Sequence, residues 1–124
     1  MMIAVTQTQI EPAELARRIV DLLAERQAED VVLLDISQVA TFTDFFVIAT
    51  AQNVRHVNAL IGAFDKDLAR EGINALRREG AADSGWVLVD FGPVVVHVFT
   101  AADRAYYNLE GLWGRAGVAA VRFQ

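Results

Sequence analysis

Apolar positions recur along this chain at two spacings. After Pro12, the residues Leu15, Ile19, Leu22 and Leu23 lie at helical spacing, with Glu14, Arg17, Arg18, Glu25 and Arg26 among them. That is the stripe of an amphipathic helix, opened by a proline where its missing N–H is not needed, and it should end near Ala28. A second stripe, Val54, Val57, Leu60, Ile61, Phe64 and Leu68, follows Asn53, a good helix N-cap. Gly72 stands where a left-handed glycine closes a helix, and Ile73 can fold back on Leu68. The other spacing is continuous. Val31 to Ile36 and Phe45 to Thr50 are short apolar runs behind Asp30 and Asp44, the pattern of strands buried on both faces. Ser37 to Thr43 connects them.

Ile73 to Arg77 is a weaker, edge-type strand, followed by a polar link over 77–83. Trp86 to Asp90 and Val94 to Phe99 flank Asp90-Phe91-Gly92-Pro93, which is turn chemistry, so they form an antiparallel hairpin. Thr100 and Asp103 have the spacing of a capping box, with Asp in place of Glu, and predict a last helix from about Ala101 to Trp113, closed by Gly114. The small, apolar tail to Gln124 has room for one more short strand. The order α-β-β-α-β-β-β-α predicts an α/β fold, one mixed sheet with helices packed on it. Residues 1–10 read as a flexible leader, 11–114 as a single domain and 115–124 as a C-terminal tail.

The 124 residues suffice for one domain, and a chain of this size buries roughly two thirds of its unfolded surface. A hydrophobic fraction of 54% against 22% charged excludes disorder. With no cysteine, disulfide and thiolate chemistry are excluded and a reducing cytoplasm is compatible. The net charge of −5 disfavours phosphate-driven nucleic-acid binding and suits a basic protein partner. No apolar run approaches the ~20 residues of a membrane span. The N-terminus fits neither a secretory signal nor an Arg-rich transit peptide, so the expected location is cytoplasmic.

Candidate chemistry is sparse. His97 shares a strand face with Val95 and Phe99; it is either a base or hydrogen-bonded anchor, or a structural histidine held by a polar neighbour, and the second is favoured. His56, beside Arg55 in the first turn of a helix, suits a polar cap better than an anion site. The two histidines give no metal-ligand spacing. Asp65 and Asp67 point away from each other on a helix and read as solvent charges. Asp90 either meets a basic partner or fills its turn. No phosphate-loop pattern exists, and the tripeptide Asp90-Phe91-Gly92 has none of the other kinase elements. Both tryptophans and both tyrosines lie between Ser84 and Trp113. Tyr106 and Trp113 share a helical stripe with Ala102 and Leu109 and are expected in the core. Arg104, Tyr107 and Glu110 lie to one side, exposed. Trp86 is either a core lid or a hot spot. Large aromatics without a nucleophile–base pair point to a surface that grips another protein.

Longer matches sharpen this. Trp86, Val87 to Asp90, Gly92, Val94 to Phe99, Arg104, Tyr107, Leu109-Glu110 and Leu112-Trp113 closely resemble the signature of the ribosomal silencing factor, or Iojap-like, family. Asp44 to Thr50 with Asn53 and Arg55-His56, and Leu76 to Gly80, extend the match, which spans roughly residues 12 to 113. Ala51 replaces a usual glycine, Gln52-Asn53 replaces a Ser/Thr-rich turn, and the tail lies outside the pattern. The resemblance implies a nucleotidyltransferase-like fold without catalytic residues. It implies no cofactor and no metal, and binding to the large ribosomal subunit through its protein numbered fourteen. There the bound protein would block joining of the small subunit and damp translation; many members form dimers. The partner-binding residues expected on this basis are Trp86, Asp90, His97, Arg104, Tyr107, Glu110 and Trp113. The competing readings are a small nucleotidyltransferase using Asp44, Asp90 and His97, and a plain dimerisation module.

Overall fold

A computed structural model describes residues 10–123. The leader expected over 1–10 therefore lies, except for Ile10, outside the described residues. The chain runs α1 (Pro12–Glu25), β1 (Glu29–Asp35), β2 (Phe45–Ala51), α2 (Val54–Ala63), β3 (Arg77–Glu79), β4 (Trp86–Asp90), β5 (Val94–Thr100), α3 (Ala101–Tyr107), α4 (Leu109–Arg115) and β6 (Ala120–Arg122). Its strands form one sheet in the order β3-β4-β5-β2-β1-β6. The central pair β2–β5 is parallel, with Phe45 opposite Val94 and Ala51 opposite Thr100; the other pairs are antiparallel. This is the mixed α/β architecture expected, with two departures in order: the last helix is two helices, and β6 follows them.

The central strands are continuous apolar runs because both sheet faces are covered. On one face α1 and α2 bury Val47, Ala49, Val94, Val96, Val98, Val87 and Val89 under Leu15, Ile19, Leu23, Val57 and Leu60. On the other, Val32, Leu34, Phe46, Ile48, Val95 and Phe99 are covered by Leu109, Trp113 and Val118. Asn53 caps α2, its side chain accepting from the His56 N–H at 2.8 Å. The last turn of α2 widens into a π-turn over Phe64–Leu68. Beyond it the chain closes as expected: Gly72 is left-handed (φ 80°), and the Ile73 N–H returns to the Leu68 carbonyl at 2.9 Å.

Three boundaries differ from expectation. α1 ends at Glu25 because Gln27 is left-handed (φ 70°), with the Ala28 N–H returning to Leu23. β3 is Arg77–Glu79, not Ile73–Arg77. Ile73 is held in the core by the helix-closing turn, so pairing starts only where the Leu76 N–H reaches the Asp90 carbonyl at 2.7 Å. The predicted helix over 101–113 breaks at Asn108, which is left-handed (φ 46°) and whose side chain accepts from the Gly111 N–H to start α4. The Thr100–Asp103 box does not form: no side chain caps α3. The Asp103 carboxylate instead lies against Gly85, where an added Cβ would come within 2.0 Å of it. In the expected tail, β6 pairs with β1, Ala120 opposite Leu34 and Arg122 opposite Val32.

Candidate functional site

The sheet face under α3 and α4 is only partly covered, and its open part is aromatic. Strand alternation brings Trp86 and Leu88 of β4 to the same side as His97 and Phe99 of β5, with Leu88 opposite His97 and Trp86 opposite Phe99. The Trp86 ring stacks on buried Phe99 with centroids 5.0 Å apart and meets Tyr107 of α3 at 4.5 Å. Tyr106 lies edge-on to Tyr107 at 5.0 Å. In the other direction, Phe46 contacts His97 at 4.6 Å, Trp113 at 5.4 Å and Phe42 at 6.0 Å. The result is one aromatic cluster from Phe42 to Tyr106, joined beneath the surface by Phe46, His97 and Phe99. Exposed on it are Phe42 (64%), Tyr107 and Tyr106 (79%), with Trp86, Leu88 and Trp113 half-buried.

Of the seven expected partner-binding residues, three carry this surface: Trp86, Tyr107 and Trp113. The other four have internal work. Arg104 is buried at 9% exposure, not exposed. It donates to the Asp30 carbonyl at 2.6 Å and the Thr50 hydroxyl at 2.8 Å, and grips both Glu110 oxygens at 3.1 and 2.7 Å. Glu110 is consumed by that pair, and the Arg104 guanidinium holds its carboxyl below the ordinary carboxylate value. Asp90 fills its turn, accepting from the Gly92 N–H at 2.8 Å and pairing with Arg77 at 3.1 Å. His97, at 3% exposure, does not reach the surface. Conversely, Tyr106 is on the surface and not in the core. The break at Asn108 explains both reversals: it turns α4 relative to α3, so a single stripe through 102, 106, 109 and 113 does not exist. Phe42, Leu88, Tyr106 and Leu112 were missed as surface residues; a phenylalanine alone in a polar connector was the one available signal.

His97 is the structural histidine expected. Its Nδ1 accepts from the Trp86 indole N–H at 3.2 Å, and Nε2 has no partner, facing an aromatic environment. Burial lowers its pKa to about 4 from 6.5. The folded protein therefore binds fewer protons than the unfolded chain between these values, so stability is full above the unfolded pKa and falls as pH drops. Lowering pH from 6.5 to 5 should remove about 2 kcal/mol through this group. Urea unfolding should show that loss in the wild type and not in His97→Gln, which keeps an acceptor for Trp86; equal pH slopes would refute it.

On the opposite layer, Asp65 and Asp67 pair with different arginines, Arg78 and Arg26, as solvent-side charges. His56 ties the α2 start to the chain after α1, accepting from the Gln52 N–H and reaching the Arg26 carbonyl, both at 2.9 Å.

The chain and its fold find their match among known proteins. A family model described as "Ribosomal silencing factor during starvation" matches residues 9–123. The chain belongs to the ribosomal silencing factor family. A ribosomal silencing factor from Halalkalibacterium halodurans is 41% identical over 103 residues, covering 83% of this chain and 88% of that protein. A crystal structure of a Chromobacterium violaceum protein superposes with a TM-score of 0.80 at 34% identity, covering 85% of this chain and 88% of that one. The mouse protein named "Mitochondrial assembly of ribosomal large subunit protein 1" is 31% identical over 98 residues, which span 77% of this chain and 43% of the mouse protein. The match to the silencing-factor model reaches Phe123, so the C-terminal tail belongs to the family pattern that the sequence motifs traced only to Trp113. The silencing factors are regulatory proteins. Among the described residues of this member, no group of three or more His, Asp or Glu can hold a metal ion, and no helix is long and apolar enough to cross a membrane.

Proposed function

We propose that the chain represses translation by docking on the large ribosomal subunit through its aromatic face and blocking the small subunit from joining. The observation that carries this reading is the exposed aromatic group of Trp86, Tyr107 and Tyr106, with exposed Phe42 joined to it through buried Phe46 and His97, in a silencing-factor fold. Apolar surface regains about 25 cal/mol per Å² when a partner covers it, and aromatic residues are the usual anchors of such contacts. The net charge of −5 selects a basic ribosomal protein over ribosomal RNA. The family resemblance makes that receptor the large-subunit protein numbered fourteen. Free in the cytoplasm, the chain pairs with a second copy of itself, and it needs no cofactor.

The enzyme reading finds no support in the geometry. Asp90 caps a turn, and His97 is buried among rings with its Nδ1 taken by Trp86. Subunit joining, followed by light scattering on purified subunits, should fall as the protein is added; an unchanged yield at saturating protein would sink the proposal. Incubation with Mg²⁺ and nucleotides should give no turnover. Turnover that vanishes in Asp44→Ala or Asp90→Ala would reinstate the enzyme.

A further inference from the structure

The aromatic face has a concave part at its β3 end. An open pocket of ≈ 310 Å³ is lined by Glu79, Gly80, Ser84, Trp86, Leu88 and Tyr107. That is the low end of the range for small-molecule sites, and suits one long side chain. Two of its walls are π-faces: the Trp86 and Tyr107 rings stand 4.5 Å apart between centroids and tilt 46° to each other, forming a wedge. A third wall is a carboxylate. Glu79 lies opposite Leu88 in the β3–β4 ladder, so it stands on the same side of the sheet as the indole.

The polar atoms favour a cation. The Ser84 hydroxyl donates inward, within reach of the Ala81 and Trp86 carbonyls, leaving lone pairs outward. The indole N–H is taken by His97. Only the Tyr107 hydroxyl remains as a donor among the lining side chains. Glu79 lines the pocket, Asp83 precedes its Ser84 in the chain, and Arg77 is shared between Glu79 and Asp90. Asp103 adds a further carboxylate beside Gly85. An anion is therefore repelled here. A guanidinium stacks on Trp better than an ammonium does, because it is planar and more weakly hydrated.

We infer that this pocket receives an arginine side chain of the docked protein, with its guanidinium laid on the Trp86 indole beside Tyr107 and its charge met by Glu79. The inference rests on the reading that this face docks a protein, and adds what the partner must present.

Two measurements separate the pocket from the docking. In the first, N-acetyl-arginine amide and its neutral isostere N-acetyl-citrulline amide are titrated into the whole protein. The two indole N–H signals are followed by NMR. The arginine compound should shift the Trp86 signal and leave Trp113 in place, and the citrulline compound should do neither. The shift should disappear in Glu79→Gln. Equal shifts with both compounds, none with either, or an unchanged response in Glu79→Gln overturns the inference. In the second, binding to isolated large ribosomal subunits is measured. Glu79→Gln should bind about fivefold more weakly, Glu79→Lys more weakly still, and Trp86→Phe better than Trp86→Leu, since only the former keeps a π-face. Wild-type binding that none of these charge changes alters overturns the arginine anchor and leaves the proposed function standing. No binding by the wild type defeats the proposed function, while the indole titration still decides the pocket.

Discussion

Trp86→Ala should abolish binding to isolated large ribosomal subunits while the fold survives. Trp86 lies at the centre of the aromatic surface, between Phe99 and Tyr107. Truncating such an anchor typically costs about 2 kcal/mol or more, roughly thirtyfold in affinity. The ring is half-buried, so its loss opens a solvent-filled notch and not a closed cavity, and the stability cost is smaller than for a core truncation. Water entering the notch can replace the indole as donor to His97. Tyr107→Ala should weaken binding comparably and hardly touch stability, because that side chain is exposed. Asp65→Ala, on the other layer of the molecule, should bind as the wild type does. Circular dichroism would check folding, and co-sedimentation with large subunits would measure binding. Should Trp86→Ala unfold, Tyr107→Ala decides the question. Should both variants fold and bind normally, the interface lies elsewhere, around Arg55 and His56.

The largest effect on stability should come from Arg104→Met. This guanidinium joins the start of β1, the end of β2, α3 and α4 through four hydrogen bonds. Removing one partner of a buried charge pair costs about 3–5 kcal/mol, and here the Glu110 carboxylate would keep only the longer contact with exposed Arg122, at 3.7 Å. Arg104→Lys should rescue little: an ammonium cannot span both Glu110 oxygens and also reach Asp30 and Thr50. A double variant, Arg104→Met with Glu110→Gln, should recover part of the loss, because no unpaired carboxylate remains. The pH profile gives a second readout. Glu110 has a lowered pKa in the fold, chiefly through Arg104, so its contribution is present above the unfolded value of 4.5 and lost on acidification. That acid limb should flatten in Arg104→Met. Urea midpoints measure all of these, and a wild-type midpoint for Arg104→Met would show the strut to be dispensable.

Both variants fall on residues whose surroundings come from distant parts of the chain, which is where sequence reading fell short. β2 and β5 were legible because strands covered on both faces leave a continuous apolar run. The Asn53 cap and the Gly72–Ile73 closure were legible because each is a local hydrogen-bond problem with few solutions. Asn108 is equally local but ambiguous. An asparagine is tolerated in a helix, and only its left-handed backbone, supported by the Gly111 N–H, makes it a hinge. Reading through it placed Tyr106 inside and Arg104 outside, the reverse of what the fold does. β3 slipped because its register follows Arg77 opposite Asp90, not its apolar residues. Within the candidate site, Trp86 and Tyr107 stood out by size alone. Phe42 joins them only through Phe46 and His97, a contact between segments some fifty residues apart in the numbering.

The clasp that Arg104 and β6 place on β1 also sets a timetable. β1 is among the first strands made, yet its Asp30 carbonyl waits for Arg104 and its outer edge waits for Ala120–Arg122. Trp86, Tyr107 and Trp113, which complete the aromatic surface, also leave the ribosome late, since synthesis runs from the N-terminus. A nascent chain thus lacks the complete aromatic cluster until Trp113 has been made, whereas β1 gains its outer neighbour only with Ala120–Arg122.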